Sequence, residues 1–303
     1  MEYSPIKMQK KLNENNFNFK KNFGQNFIID ENVINSIIKK SEIDKNTLVI
    51  EIGPGAGSLT YKLCENAKNV LCYEIDTTLK DILNDTLKKY NNYEIIYKDF
   101  LKVNVLEDIK KYNYDKLYVV ANLPYYITTP IIMKLIGDNI LVDKIVVMVQ
   151  KEVGNRFKAE PGSKDYSSLS IFLKYYFKVS KLLDVSKNVF IPKPNVDSIV
   201  VEFKRNETLI PLNNKELFFT LIRDSFKQKR KTLRNNLNVN GTEIIKKLMS
   251  LGLMLNLNNE IDFENAEIVA LDYNKTLKKE ETQDEANFEE FEIHPFPVIP
   301  YLT

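Results

Sequence analysis

Through the first two thirds of the chain, short apolar runs rich in β-branched residues alternate with stretches whose apolar residues recur at helical spacing. The runs at 47–52, 69–75, 93–97, 116–121 and 144–150 predict strands, and helices are expected between them over 32–40, 59–66, 78–89 and 129–135. Strand and helix alternating in this way predict an α/β fold, a Rossmann-like, mostly parallel sheet. Two later runs, 179–185 and 196–203, flank the rigid segment Ile191-Pro192-Lys193-Pro194 and are expected to add an antiparallel pair at the sheet edge. Beyond about Arg205 the pattern becomes helical over 216–226 and 243–251 and shows no further strong strand. The expected organisation is a basic N-terminal arm (1–21), an α/β domain (22–205), a small helical domain (206–274) and an acidic tail (275–303).

Composition narrows the chemistry. The 303 residues include one His (His294), two Cys (Cys64 and Cys72) and no Trp. These numbers exclude a disulfide framework and a four-ligand zinc site, and they argue against Ser-His-Asp, Cys-His or His-metal catalysis. No apolar run approaches the ~20 residues that span a bilayer, and the N-terminal stretch lacks a signal-peptide core, so a cytoplasmic location is expected. Catalysis here has to draw on carboxylates, amides, hydroxyls, backbone groups or a cofactor.

The segment Glu51-Ile52-Gly53-Pro54-Gly55-Ala56-Gly57-Ser58 leads from a strand into a helix. Alone, three alternating glycines are a tight turn; between a strand and a helix they let the backbone approach a ligand without a Cβ in the way. The spacing is G-x-G-x-G. A dinucleotide loop needs a glycine where Ser58 stands, and a nucleotide-phosphate loop needs a Gly-Lys-Ser/Thr that this chain lacks. Glu74, ending the next strand, suits a ribose diol that donates two hydrogen bonds. Asp99, after the third strand, is placed to accept from an adenine amino group while Phe100 bounds the pocket. These positions fall at successive strand ends, where ligands bind in such sheets, and they favour S-adenosylmethionine.

The fourth strand runs into Asn122-Leu123-Pro124-Tyr125-Tyr126-Ile127-Thr128-Thr129-Pro130. Pro124 removes a backbone donor and stiffens the turn, leaving carbonyls facing a pocket. A helical run further on, Phe226-Lys227-Gln228-Lys229-Arg230-Lys231-Thr232-Leu233-Arg234, carries five cations within eight positions, Lys227, Lys229, Arg230, Lys231 and Arg234. Such a run is commonly a solvated helix face; in a chain that binds nucleic acid it suits phosphate contact.

With the motifs Asn22-Phe23-Gly24-Gln25-Asn26-Phe27, Phe190-Ile191-Pro192-Lys193-Pro194-Asn195-Val196-Asp197-Ser198 and Lys229 to Leu237, the chain resembles the ribosomal RNA adenine N6,N6-dimethyltransferases of small-subunit rRNA, of the bacterial KsgA type, over roughly residues 20 to 270. The resemblance implies that Asn26, Ile28, Glu51, Gly53, Gly55, Gly57, Glu74, Asp99, Phe100 and Asn122 surround S-adenosylmethionine. It also implies that Asn122, Leu123, Pro124 and Tyr125 hold the target adenine, with Phe190 as a second stacking face. The implied partner is small-subunit rRNA in a pre-30S particle, and a monomer without metal or membrane attachment is expected. Lys229 and Asn195 stand where the family more often has Arg and Lys. Two alternatives compete: a macrolide-resistance-type enzyme acting on one adenine of 23S rRNA, and a non-catalytic RNA-binding assembly or transcription factor on the same fold. The wording of the Asn122 to Pro130 segment and Arg234-Asn235-Asn236-Leu237 favour the small-subunit enzyme over the first, and the complete set of acidic and glycine positions argues against the second.

The resemblance also changes the reading of charge. The chain holds 43 basic and 41 acidic side chains. Residues 275–303 contribute three lysines and seven acids, leaving 40 basic against 34 acidic residues in 1–274. A near-neutral total therefore conceals a basic body with an acidic tail, the balance expected of a nucleic-acid partner and of a tail that competes for the basic face.

Overall fold

The computed structural model describes Leu12, Phe17, residues 19–20 and residues 24–226, without the Tyr126 side chain. The cationic run Lys227, Lys229, Arg230, Lys231 and Arg234, the expected helix over 243–251 and the acidic tail lie outside the described residues.

The chain divides into two compact units. The first comprises residues up to Ala159 together with Tyr176–Glu207. It is built on a seven-stranded sheet of β2 (Thr47–Ile52), β3 (Asn69–Tyr73), β4 (Tyr93–Ile96), β5 (Lys116–Asn122), β6 (Lys144–Gln150), β7 (Phe177–Val185) and β9 (Ser198–Arg205). The strand order is β4-β3-β2-β5-β6-β9-β7. The pairings from β4 to β6 are parallel, while β9 runs antiparallel to both β6 and β7. The expected antiparallel pair is therefore present, with the later strand inserted between β6 and β7. Strand order reverses between β2 and β5, and a crevice opens at the carboxyl ends of the strands at such a reversal.

Every position of β2 is buried, Glu51 included. Burying an aliphatic side chain contributes about 1.5–3 kcal/mol, so Leu48, Val49, Ile50 and Ile52 more than offset a carboxyl group kept in its neutral form. The helices that cover the sheet follow the predicted pattern with shifted ends. The helix expected over 78–89 begins one residue earlier as a tight 3-10 turn, Thr77–Leu79, before α3 (Lys80–Leu87), because the buried Asp76 carboxylate accepts from the Thr78 N–H and caps the turn. Here α1 is Glu31–Ser41 and α2 is Thr60–Asn66. A two-residue strand, β1 (Phe27–Ile28), pairs with β8 (Phe190–Ile191) in a separate antiparallel ribbon. No helix among the described residues is long and apolar enough to cross a membrane.

The second unit takes in Glu160–Tyr175 and, among the described residues that follow, 208–226. Its aromatic side chains meet: Phe172 lies 4.7 Å from Phe219, and Tyr175 lies 5.7 Å from Phe218, between ring centres. The expected helix over 216–226 is Lys215–Ser225, capped by the Asn214 side chain on the Leu217 N–H. The segment within 160–175, expected in the α/β domain, carries the apolar and aromatic run Leu169, Ile171, Phe172, Leu173 and Tyr175, and this helical unit takes it up.

Candidate active site

A cavity of about 310 Å³ opens at the carboxyl ends of β2, β3 and β5, within the usual range for small-molecule sites. Its floor is the glycine loop. Gly53, Gly55 and Gly57 all have positive φ, at +71°, +60° and +86°. A Cβ on Gly55 would come within 2.8 Å of the Phe27 ring, and one on Gly57 would sit 3.0 Å from Thr86 Cγ2. A Cβ on Gly53 meets nothing within 4 Å. The loop is therefore held by packing at its second and third glycines and by backbone conformation alone at its first. Gly55→Ala is expected to cost about 1–3 kcal/mol in backbone strain, with further loss from the Phe27 clash, and thermal unfolding should show a melting point several degrees lower. Gly53→Ala should lose less.

Glu74 follows β3 and is 4% exposed. Its Oε2 accepts from the Gly55 N–H at 3.0 Å and its Oε1 from the Asp76 N–H at 2.8 Å. Burial pushes its pKa up to about 7, against the pull of those two backbone bonds. Glu51 is pushed up to about 8, first by burial and then by the neighbouring Glu74 charge, and Cys72 Sγ lies 3.7 Å from its Oε2. Each Glu74 oxygen retains acceptor capacity beyond its backbone bond, so a diol donating to both would shift the group to its ionised form.

The loop after Glu74 is tied to the N-terminal segment. Asp76 accepts from Lys20 Nζ at 2.6 Å and from Gln25 Nε2 at 2.7 Å, and Gln25 Oε1 accepts from the Lys20 N–H at 2.8 Å. Burial works to raise the Asp76 pKa, but the bonds from Lys20, Thr78 and Gln25 together hold it below the usual carboxylate range. Ile75, between the two acids, is 48% exposed and lines the cavity, an apolar surface suited to an aromatic base.

Asp99 lines the same cavity. One carboxylate oxygen accepts from the Leu101 N–H at 3.0 Å, capping a short turn, and Lys102 Nζ lies 3.8 Å from the other. Phe100 packs edge-on against Tyr73, ring centres 5.3 Å apart, and closes one wall.

At the end of β5 the Asn122 side chain donates from Nδ2 to the Asn26 carbonyl at 2.8 Å, which turns its oxygen to the other side of the amide. Asn26 in turn donates to the Gly24 carbonyl at 3.1 Å. The turn beyond Asn122 is closed from within: the Pro124 carbonyl accepts from the Ile127 N–H at 3.2 Å and from Thr128 Oγ1 at 3.3 Å. The Leu123 N–H donates to the Met148 carbonyl of β6 at 3.3 Å, and among the described residues nothing donates to the Leu123 carbonyl. Tyr125 lines the cavity, and its hydroxyl lies 3.0 Å from Ser198 Oγ.

The structure thus brings Asn26, Gly53, Gly55, Glu74, Asp99 and Phe100 to one cavity with Asn122, Leu123, Pro124 and Tyr125. Ile28, Glu51 and Gly57 lie behind it, Ile28 and Glu51 1% exposed. Phe190 pairs with Ile28 across the ribbon, is 2% exposed and packs with the hydrophobic core. Sequence reasoning passed over Gln25, Ile75, Lys98, Leu101 and Ile127, which line the cavity, and Lys20, Asp76 and Ser198, which fix its walls. Gln25 and Ser198 stand within the motifs Asn22 to Phe27 and Phe190 to Ser198, which signal them; Ile75 had only its place beside Glu74 as a signal.

The family model for ribosomal RNA adenine dimethylase matches residues 16–275. The Ribosomal RNA small subunit methyltransferase A of Staphylococcus aureus strain bovine RF122 / ET3-1 is 53% identical over 236 residues, 77% of this chain and 80% of its own. The protein of the same name from strain JH9 matches to the same extent. Among solved structures, a dimethyladenosine transferase from Plasmodium falciparum is 28% identical with a TM-score of 0.68, covering 82% of this chain and 97% of its own. The 23S rRNA methyltransferase ErmE is 22% identical with a TM-score of 0.62 over 80% and 98% of the two chains, a likeness of fold.

Proposed function

The chain belongs to the ribosomal RNA adenine dimethylase family, and on that premise we propose that it transfers two methyl groups from S-adenosylmethionine to N6 of each of two adjacent adenosines near the 3′ end of small-subunit rRNA. The observation that carries this reading is the Asn122 amide, whose nitrogen is committed to Asn26 and whose oxygen is thereby presented as an acceptor. The reading places the enzyme in the cytoplasm as a monomer, needing no metal, with rRNA of a pre-30S particle as substrate.

The cavity suits the cofactor. Glu74 would accept from the ribose diol, Asp99 from the adenine amino group, and Ile75 and Phe100 would bound the base, with Gly53 allowing close backbone approach. When bound, S-adenosylmethionine supplies a methyl group on a positively charged sulfur. The protein's task is then to present an amine whose lone pair is delocalised into its ring. Asn122 Oδ1 accepts one N6–H. The second acceptor is the Leu123 carbonyl, since that of Pro124 is already used within its own turn. Two acceptors at this edge favour a pyramidal nitrogen with its lone pair aimed out of the ring plane. The same fixed carbonyl dipoles and the Tyr125 π face stabilise the positive charge that the nitrogen acquires. Alignment of the two reacting centres supplies much of the remaining acceleration. A target adenine must leave its stack to reach this edge.

Labelled methyl transfer tests the reading with immature 30S particles and 23S RNA assayed separately. Label is expected in the small-subunit RNA; label confined to 23S RNA would overturn the assignment.

A further inference from the structure

We propose that Ser198 is a positioning residue that holds the Tyr125 ring against the target base. The inference rests on the methyltransferase reading and extends it to a residue outside the cavity. Ser198 opens β9 and stands in register with Gln150 of β6 and Val185 of β7, so its backbone is fixed from both sides. Its side chain is 0% exposed. Among the described residues Tyr125 Oη, 3.0 Å away, is the one hydrogen-bonding partner of Ser198 Oγ. A buried hydroxyl on a central strand is a rigid anchor, and a buried hydroxyl left unpaired is costly, so each group holds the other in place.

The consequence lies in how Tyr125 is supported. It belongs to a 3-10 turn, Tyr125–Ile127, which is held by the bonds to the Pro124 carbonyl. Those bonds fix the backbone but leave the ring free to swing about its χ angles. The bond to Ser198 pins the far end of the ring and so sets the gap into which a flipped base must slide. The second methylation makes the stricter demand, because the monomethylated nitrogen has to turn its remaining N–H and lone pair within the same gap. A loosened ring should therefore misalign the reacting nitrogen in both steps and affect the second more.

The test compares Ser198→Ala, Tyr125→Phe and the double variant with the natural chain, using small-subunit particles and measuring kcat, KM for RNA, and the ratio of monomethyl to dimethyl adenosine. Ser198→Ala and Tyr125→Phe remove the same bond from opposite ends. Each is expected to lower kcat by about threefold to tenfold, to leave KM nearly unchanged, and to raise the monomethyl share. The double variant should lose no more than either single one, and Ser198→Thr should restore activity. Tyr125→Phe leaves the sheet untouched, so the comparison survives poor folding of the Ser198 variant. Unchanged kcat and product ratio in Ser198→Ala, a loss confined to KM, or additive losses in the double variant would each overturn the positioning role while leaving the methyltransferase reading intact. Absence of methyl transfer by the natural chain to any RNA would overturn both.

Discussion

Asn122→Ala should lower methyl transfer by about two to three orders of magnitude, the usual result of deleting one preorganised polar group at a reacting centre. The variant loses the acceptor for N6–H and also the 2.8 Å bond by which the end of β5 holds Asn26. Asn122→Asp is a sharper test than it looks. A carboxylate would still accept from the adenine amine, but it would face the Asn26 carbonyl with oxygen against oxygen and lose the donor that orients it. It should be nearly as inactive. RNA affinity should change little in either variant, because phosphate contacts dominate binding to nucleic acid. Single-turnover methylation and RNA binding at matched salt separate the two effects, and loss of both together would assign Asn122 to folding rather than to chemistry.

Glu74→Ala should weaken S-adenosylmethionine binding by about a hundredfold, the loss of two charge-assisted hydrogen bonds at roughly 1.5 kcal/mol each. It also strands the Gly55 and Asp76 N–H groups that the carboxylate now satisfies. The pH dependence gives a second signature. With its pKa near 7 in the ligand-free chain, Glu74 is mostly ionised at pH 8 and mostly protonated at pH 6, whereas a donating diol favours the ionised form. Affinity should therefore fall about tenfold between pH 8 and pH 6, and in Glu74→Gln that dependence should vanish from a uniformly weaker binding. Titration calorimetry across this range reads both effects. Stability of the ligand-free chain follows the same protons: Glu74 and Glu51 have folded pKa values above the ordinary 4.5. Their contribution is full below pH 4.5 and is lost as pH rises through about 7 and 8.

Much of this site was legible in the sequence because its residues sit where periodicity ends. Gly53, Glu74, Asp99 and Asn122 each follow a β-branched run, and a parallel sheet brings such positions to one edge whatever the details of packing. The antiparallel pair at the edge was legible for the same reason, its two runs being long enough to show their pattern. The ribbon of β1 and β8 was not, because two residues carry no periodicity, and only its long-range pairing closes Phe190 into the core. The Lys20, Gln25 and Asp76 cluster escaped because its members are separated by up to 56 positions and the exposed lysines of this chain are individually uninformative. Ser198 falls within the expected run 196–203, but its burial against Tyr125 is a property of the assembled sheet. In the second unit the run from Leu169 to Tyr175 reads as strand or helix equally well, since aromatic and β-branched residues suit both, and packing against Phe218 and Phe219 decides it.

Dimethylation of small-subunit rRNA is tested most directly by mass spectrometry of nucleosides from the separated ribosomal RNAs of cells lacking this protein. N6,N6-dimethyladenosine is expected to disappear from small-subunit RNA and to return when the purified chain and S-adenosylmethionine are added to the isolated particles. Dimethyladenosine retained in small-subunit RNA, or lost only from large-subunit RNA, would contradict the assignment.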